Sequence, residues 1–486
     1  MDKLQAHTWN QETQQSWLLW GYGAMVVLCI FAAVATGFYA LVGLPMLLLL
    51  GYLSLVDFEK VFYLLLFSIP LSTEVYLPGG LGTDLPTEPL MILLMLIGGV
   101  YLLRHGRALN AAFLRHPITL LLLLHLAWIY ITTVSSDLLL VSVKFSLAKT
   151  WYIAAFFFLG GFILRSEKQY RRFFWLIFWP LLFTVLYSVL RHAGYGFSFA
   201  DVHKVLAPFQ RNHVNYAADM AIFLCFMWYA LYWLRRGSWQ WYAMLGACGF
   251  LLVAIYFSYT RAAYVSLFAA AAAYFIFRFR LIRVALAAAM IAAIVGLAYV
   301  AEQNRYLDYA PNYDRTISHK NFDNLIEATY NMEDISTMER LYRWVAGLHM
   351  STAQPWMGFG PGNFVNFYES YTVKSFRTYV SDNEERSGIH SYYLLTLVEQ
   401  GLIGLLLFLV FNFYLLIRGE RIYHETRDLH RRTIVMSCLL ALVVINAFQI
   451  INDLIETDKV GSFYFLSAAI LVNMDLLNKR ERTDQS

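Results

Sequence analysis

Three guanidinium groups and one imidazole have the right chemical types to work on an anionic leaving group. Arg261 lies in YFSYTRAAYVS, Arg340 and Arg343 in STMERLYRWVAGLHMSTAQPW, and His390 at the head of GIHSYYLLTLVEQGLIGLLLFL. A guanidinium keeps its charge and binds phosphate oxygens in pairs. An imidazole is the side chain most easily set as a base near neutral pH. Together they suit a transfer in which a hydroxyl attacks and a phosphate departs. No carboxylates at metal-ligand spacing accompany them, so a metal-independent single displacement without a cofactor is the expectation. Each residue also has a plainer reading. Arg261 can simply snorkel to lipid headgroups, and a lone His390 can be an interfacial or packing histidine.

The elements that must position these groups are membrane helices. The chain has 486 residues, 59% hydrophobic and 14% charged, against about 25% charged in a soluble domain. A spanning helix needs roughly 20 apolar residues. Fourteen apolar segments begin near Trp17, Gly37, Val61, Pro89, Pro117, Ser146, Phe173, Val214, Trp241, Ala262, Leu281, Ser391, Thr433 and Gly461. The third and fourth are short and the tenth and eleventh nearly touch, so the expectation is 12–14 spans. No segment reads as a cleaved signal peptide, because the first apolar run is followed at once by another. Cys29, Cys225, Cys248 and Cys438 all fall inside apolar segments and offer no disulfide framework or zinc spacing.

Basic residues gather in alternate loops, at 104–115, 165–172, 235–236, 278–283, 418–432 and 479–482. The positive-inside rule makes those loops cytoplasmic, with both termini inside. Glu88, Lys149, Asp219, Arg261 and His390 then lie toward the outer side, around one outer-leaflet cavity. Charges within a bilayer usually face such a polar space. For Lys149 and Asp219 the favoured reading is a structural ion pair between neighbouring spans, with substrate binding as the alternative. His125, near the middle of its span, reads as structural.

One large loop, residues 302–390, interrupts the apolar pattern. Its centre reads as an amphipathic helix with Met338, Leu341, Val345 and Leu348 along one stripe. Ser336 and Glu339 have capping-box spacing, and Pro355 ends the helix. The GFGPGNF run that follows has glycines able to cradle a phosphate. No strand precedes it, and a tight chain reversal is the better reading. The chain thus divides into transmembrane helices at 1–301, a helical outer loop at 302–390, and C-terminal helices with a tail at 391–486.

Three blocks resemble the O-antigen ligase and polymerase superfamily of bacterial inner-membrane glycosyltransferases. SYTRAAYVSL is similar to its serine–arginine block, with one extra residue between Ser258 and Arg261. RLYRWVAGLHMSTAQPWMGFGPGNF is similar to its arginine helix and glycine turn, and HSYYLLTLVEQGLIGLLLFL to its histidine-led helix. RNHVNYAADMA adds a weaker match, and the likeness covers roughly Arg211 to Ile417. The resemblance implies that Arg261 and Arg340 engage the pyrophosphate of an undecaprenyl-linked glycan and that His390 stands beside the acceptor hydroxyl. Arg343, Arg211, His213, Lys149 and Asp219 are the further substrate-binding candidates. Trp344 stands where the ligase branch has leucine, which leaves Arg343 as a rival to Arg340.

The expectation is therefore an all-α polytopic transmembrane helical bundle of GT-C-like type, in the bacterial inner membrane with its active site facing the periplasm. It would act as an O-antigen ligase, moving an undecaprenyl-pyrophosphate-linked glycan to lipid A–core, without metal or nucleic acid. The alternatives are a polymerase of O-antigen or exopolysaccharide, a protein O-oligosaccharyltransferase, and a non-enzymatic transporter or flippase of lipid-linked glycan. Acceptor, sugar and oligomeric state are not legible in the sequence.

Overall fold

The computed structural model describes residues 2–77, 81–105, 111–310, 334–378, 381–383 and 386–484. The chain packs as two units, Met1–Leu64 and Leu65–Ser486. The first holds helices Asp2–Thr36 and Leu44–Val56, with the Tyr22 hydroxyl donating to the Pro45 carbonyl at 3.1 Å. Everything below concerns the second.

The protein is all-α and polytopic. Among the described residues, ten helices are long and apolar enough to cross a membrane, and Leu41–Val56 and Thr87–Tyr101 are shorter apolar helices. The expected segment near Val61 is an 11-residue helix, Phe58–Ser68, too short to span. The one near Ala262 is helix Arg261–Arg278, 18 residues with an arginine at each end. The fourteen apolar segments thus exceed the spanning helices because apolar runs also form shorter helices.

Side-chain caps set the starts of several spans, each satisfying an orphan backbone N–H of a first turn. Ser166 and Gln169 form a reciprocal capping box before Glu167–Ala193. Asn212 accepts from the Val214 and Asn215 amides before His213–Trp233, and Asp428 accepts from Arg431 before Leu429–Ile451. The last helix, Asp458–Thr483, is buried along nearly its whole length, and His213–Trp233 and Leu429–Ile451 are mostly buried. These three form the centre of the unit. Helix Ile282–Ala301 is almost wholly exposed, as suits a lipid-facing position.

Helix Tyr392–Glu425 runs away from the loop that carries His390. At its far end Arg418 donates to the buried Asp475 carboxylate at 2.5 Å, joined by His116 at 2.8 Å and Lys479 at 3.1 Å. That knot pins three segments of the chain together remote from the loop. Pairing of this kind offsets the cost of burying the charge.

On the loop side an antiparallel hairpin pairs Thr73–Leu77 with Leu81–Leu85, Glu74 facing Asp84. The large loop begins with a 3-10 segment, Glu302–Tyr309. Residues 311–333 of the expected 302–390 loop lie outside the described residues. From Asp334 onward the loop is helical and densely packed.

Candidate active site

The loop helix, Ile335–Ala353, is amphipathic as expected, but its cap and its face differ from the sequence reading. Asp334, not Ser336, is the N-cap, accepting from the Thr337 amide at 3.1 Å and hydroxyl at 2.6 Å. Its buried side holds Met338, Tyr342, Val345, Ala346 and Met350, whereas Leu348 is exposed. The face turns because two charged residues, Glu339 and Arg343, are buried with it. Both serve the strand of chain that leads to His390. Arg343 donates to the Gly388 carbonyl at 3.2 Å, to Asn383 at 3.2 Å and to Glu339 at 3.4 Å. Glu339 also accepts from Ser381 at 2.6 Å and from the Thr378 hydroxyl. Beside them the Trp344 indole donates to the Ile389 carbonyl at 3.0 Å.

His390 is thereby delivered on a short strap rather than in the first turn of the membrane helix. It precedes the N-cap Ser391 and takes a left-handed backbone, φ +55°. Such a conformation in a non-glycine residue costs on the order of 1–3 kcal/mol and persists only where its surroundings impose it. The imposing contacts are the two carbonyl bonds from Arg343 and Trp344, and the Tyr392 amide donating to Asn452 at 3.1 Å.

Arg261 opens helix Arg261–Arg278. Its guanidinium meets the Asp334 carboxylate at 2.9 Å. Just before it, Thr260 donates to the His213 carbonyl at 3.1 Å, which ties this helix to the start of His213–Trp233. The His213 ring meets that of His203 edge-on at 4.5 Å. Arg261 and Arg340 are its cationic neighbours.

Arg340 lies among these groups and differs from the other two arginines. Its Nε is buried without a partner among the described residues, and it forms no ion pair among them. Burial, then the charges of Arg261 and Arg343, hold its pKa down to about 10, with Asp334 giving a partial offset. The same forces act on His390: burial first, then Arg340 and Arg343, lower it to about 3. The site is short of negative charge. Asp334 stays ionised, but its charge is taken by Arg261. Burial raises its carboxyl, but Thr337 and Arg261 outweigh that and hold it below its usual range.

The structure thus gathers Arg261, Arg340, Arg343, His213 and His390, as the sequence suggested. Arg211 lies at the margin, mostly exposed and 3.5 Å from Glu74 of the hairpin. The expected Lys149–Asp219 ion pair is not formed. Lys149 is paired with Glu456 at 2.5 Å and donates to the Tyr392 hydroxyl at 3.2 Å. Asp219 accepts from Gln210 at 3.2 Å. Glu456 wins because the turn between the last two helices brings it over Lys149. His125 bonds Gln400 at 3.0 Å inside the bundle, in keeping with a structural role.

The glycine turn does not present its amides to a ligand. Gly362 and Phe364 donate to the buried Glu399 carboxylate at 2.8 and 3.0 Å. Phe359 and Gly360 donate to the Val398 and Glu399 carbonyls at 3.0 and 2.9 Å. Helix Tyr392–Glu425 is broken there, at Gly401 with φ +70° and ψ −175°, and the turn fills the break. Chain reversal is the turn's function. Asp334 is the functional residue that the sequence did not bring forward, though the D-x-x-T cap spacing before an apolar stripe could have found it; Glu399 is the glutamate of the histidine-led block.

Residues 246–409 match the family model described as O-Antigen ligase, which supports the superfamily to which the three blocks point. The match spans Arg261, Arg340, Arg343 and His390, and the structure brings those four together. No curated protein matches the chain.

Proposed function

We propose that the protein is a GT-C-like glycosyltransferase acting as an O-antigen ligase. It transfers a glycan from undecaprenyl pyrophosphate to lipid A–core at the periplasmic face of the inner membrane. The observation that carries this reading is Arg340, a half-buried guanidinium whose Nε is buried without a partner and which has no ion pair among the described residues, flanked by Arg261 and Arg343. A buried surplus of positive charge is costly unless an anion relieves it. A diphosphate with a lipid tail is suited to a site at the loop end of a membrane bundle.

In this reading the acceptor hydroxyl oxygen attacks the anomeric carbon, and the bond from that carbon to the diphosphate oxygen breaks. The diphosphate leaves with the bonding electrons, held by Arg261 and Arg340, and the hydroxyl proton passes to His390. Arg343 acts indirectly, by holding the strap that sets His390. A preorganised donor toward developing charge is worth about 3–4 kcal/mol, so two arginines supply a large part of a glycosyl-transfer acceleration. With its pKa lowered to about 3 by burial and by Arg340 and Arg343, His390 is neutral and a weak base. A diphosphate bound among the arginines offsets their charge and strengthens it, so the donor readies the base for the acceptor. His213 and Arg211 would extend the anion site toward the glycan side. Lys149 would brace the helix that follows His390 through the Tyr392 hydroxyl.

Deleting the gene and examining lipopolysaccharide on gels tests the assignment. Loss of every capped ladder, with lipid-linked glycan accumulating, is the result for a ligase. A single capped repeat would make the protein a polymerase. Unchanged lipopolysaccharide with lost glycoproteins would make it a protein O-oligosaccharyltransferase.

A further inference from the structure

Asp334 performs two tasks with one carboxylate. It caps the helix that carries Arg340, and it takes the Arg261 guanidinium from a different helix at 2.9 Å. It is also almost wholly buried, at 2% exposure, so its bonds are little screened by solvent. The cap alone needs only a short acceptor, since Ser, Asn and Asp cap about equally well. The charge is therefore not explained by the cap. What a carboxylate adds is a fixed, charge-assisted hold on a guanidinium, and the guanidinium held is one of the two assigned to the diphosphate.

We propose that Asp334 is a positioning residue for the transfer reaction, locking Arg261 beside Arg340 so that both halves of the cationic clamp are in place before the donor arrives. The proposal rests on the diphosphate reading given above. Arg261 belongs to a helix that starts at residue 261, and Arg340 to a loop helix whose first turn is residue 335. Asp334 is covalently continuous with the helix of Arg340 and ion-paired to Arg261. Asp334 carries no proton in the reaction and touches no reacting atom. It fixes a spacing.

Cap and charge can be separated by substitution. Asp334→Asn and Asp334→Ser keep a capping acceptor and lose the charged hold on Arg261. Asp334→Glu keeps the charge but is not among the residues that cap well. The experiment uses the full chain in lipid nanodiscs, reading melting temperature, transfer rate, and affinity for a polyprenyl diphosphate lacking sugar. The expected pattern is a double dissociation. The Asn and Ser variants melt near the parent temperature but lose transfer about ten- to hundredfold, the scale of a lost charge-assisted bond. The Glu variant melts lower and keeps more activity than either. In the Arg261→Ala background, Asp334→Asn should lower diphosphate affinity no further. Activity that follows melting temperature across the three variants would show a merely structural cap and overturn the proposal, as would an additional loss of affinity in the Arg261→Ala background. If Arg261→Ala itself transfers normally, the clamp reading falls and the proposal with it. If Arg261→Ala is inactive and Asp334→Asn fully active, only the role of Asp334 falls.

Discussion

Replacing Arg340 by methionine should make the protein more stable and leave it inactive. Burial and the neighbouring Arg261 hold this guanidinium two to three pH units below its ordinary value, near 10. At 1.36 kcal/mol for each tenfold change, that is about 3 kcal/mol of strain on the charged form. The sign follows from linkage. A base whose folded pKa lies below its unfolded one is destabilising wherever it is charged in both states. The penalty is therefore complete at pH 7 and fades only as pH rises past 10. Methionine keeps most of the stem's volume and removes the charge, and exchanging a buried charge for an apolar side chain is often stabilising. After the partial exposure of the side chain and lost contacts are discounted, about 1–2 kcal/mol should remain. Melting in one fixed detergent should then rise by a few degrees, while glycan transfer falls at least about 10²–10³-fold. A variant that melts lower and still transfers would refute the argument from uncompensated charge. In that case Arg340 would be an ordinary packed residue.

Four further outcomes are expected. His390→Ala should lose transfer by about 10²–10⁴-fold while diphosphate affinity stays near the parent value, and a matching loss of affinity would recast His390 as a phosphate ligand. Because the folded pKa of His390 lies near 3 against a usual 6.5, the parent should lose stability as pH falls from 6.5 toward 3. His390→Gln should flatten that slope in pH-dependent melts, and an unchanged slope would count against a buried neutral imidazole. Cysteine replacing Lys374 should react with an impermeant reagent added to intact cells, and cysteine replacing Arg427 should not; the opposite pattern would invert the topology and sink the periplasmic reading. Gly401→Ala should fold poorly, because its Cβ would lie 2.1 Å from the Trp356 carbonyl oxygen at a φ of +70°. Strain and lost backbone bonds together make a cost of roughly 3 kcal/mol or more, visible as a lowered melting temperature.

What was legible in the sequence was whatever carries a local signal. Apolar runs gave the membrane helices, and the three-and-four spacing gave the loop helix around Met338 and Val345. Arg261, Arg340 and His390 stood out because their chemical types belong to one reaction and their blocks to one superfamily. The errors fall where distant parts of the chain decide. Lys149 was set against Asp219 because both lie one or two turns inside a span, yet a turn more than three hundred residues later supplies Glu456 instead. Leu348 was placed on the buried stripe because periodicity cannot know that Glu339 and Arg343 will be buried to hold residues 378–388. The capping box at Ser336 was a valid pattern that lost to Asp334, whose second partner, Arg261, makes the earlier start the better one.

The break at Gly401 has a bearing on how the protein is made. At 1.5 Å of rise per residue it lies about 14 Å along the helix from Tyr392, and backbone groups left open within lipid would find no hydrogen bonds there. The groups freed by the break are taken by the 355–362 segment: Pro355 accepts from Leu402, while Phe359 and Gly360 donate to Val398 and Glu399. That segment is synthesised before the helix it completes. A helix released into lipid by itself would have to close the gap, straighten, and later reopen it against the cost of bare peptide groups. The broken form is therefore reached most directly if the loop has folded before the helix leaves the insertion machinery. On this account residues 355–362 act as a tethered template for a neighbouring transmembrane segment. Delayed export of the loop should then trap chains that are fully inserted and yet wrongly folded.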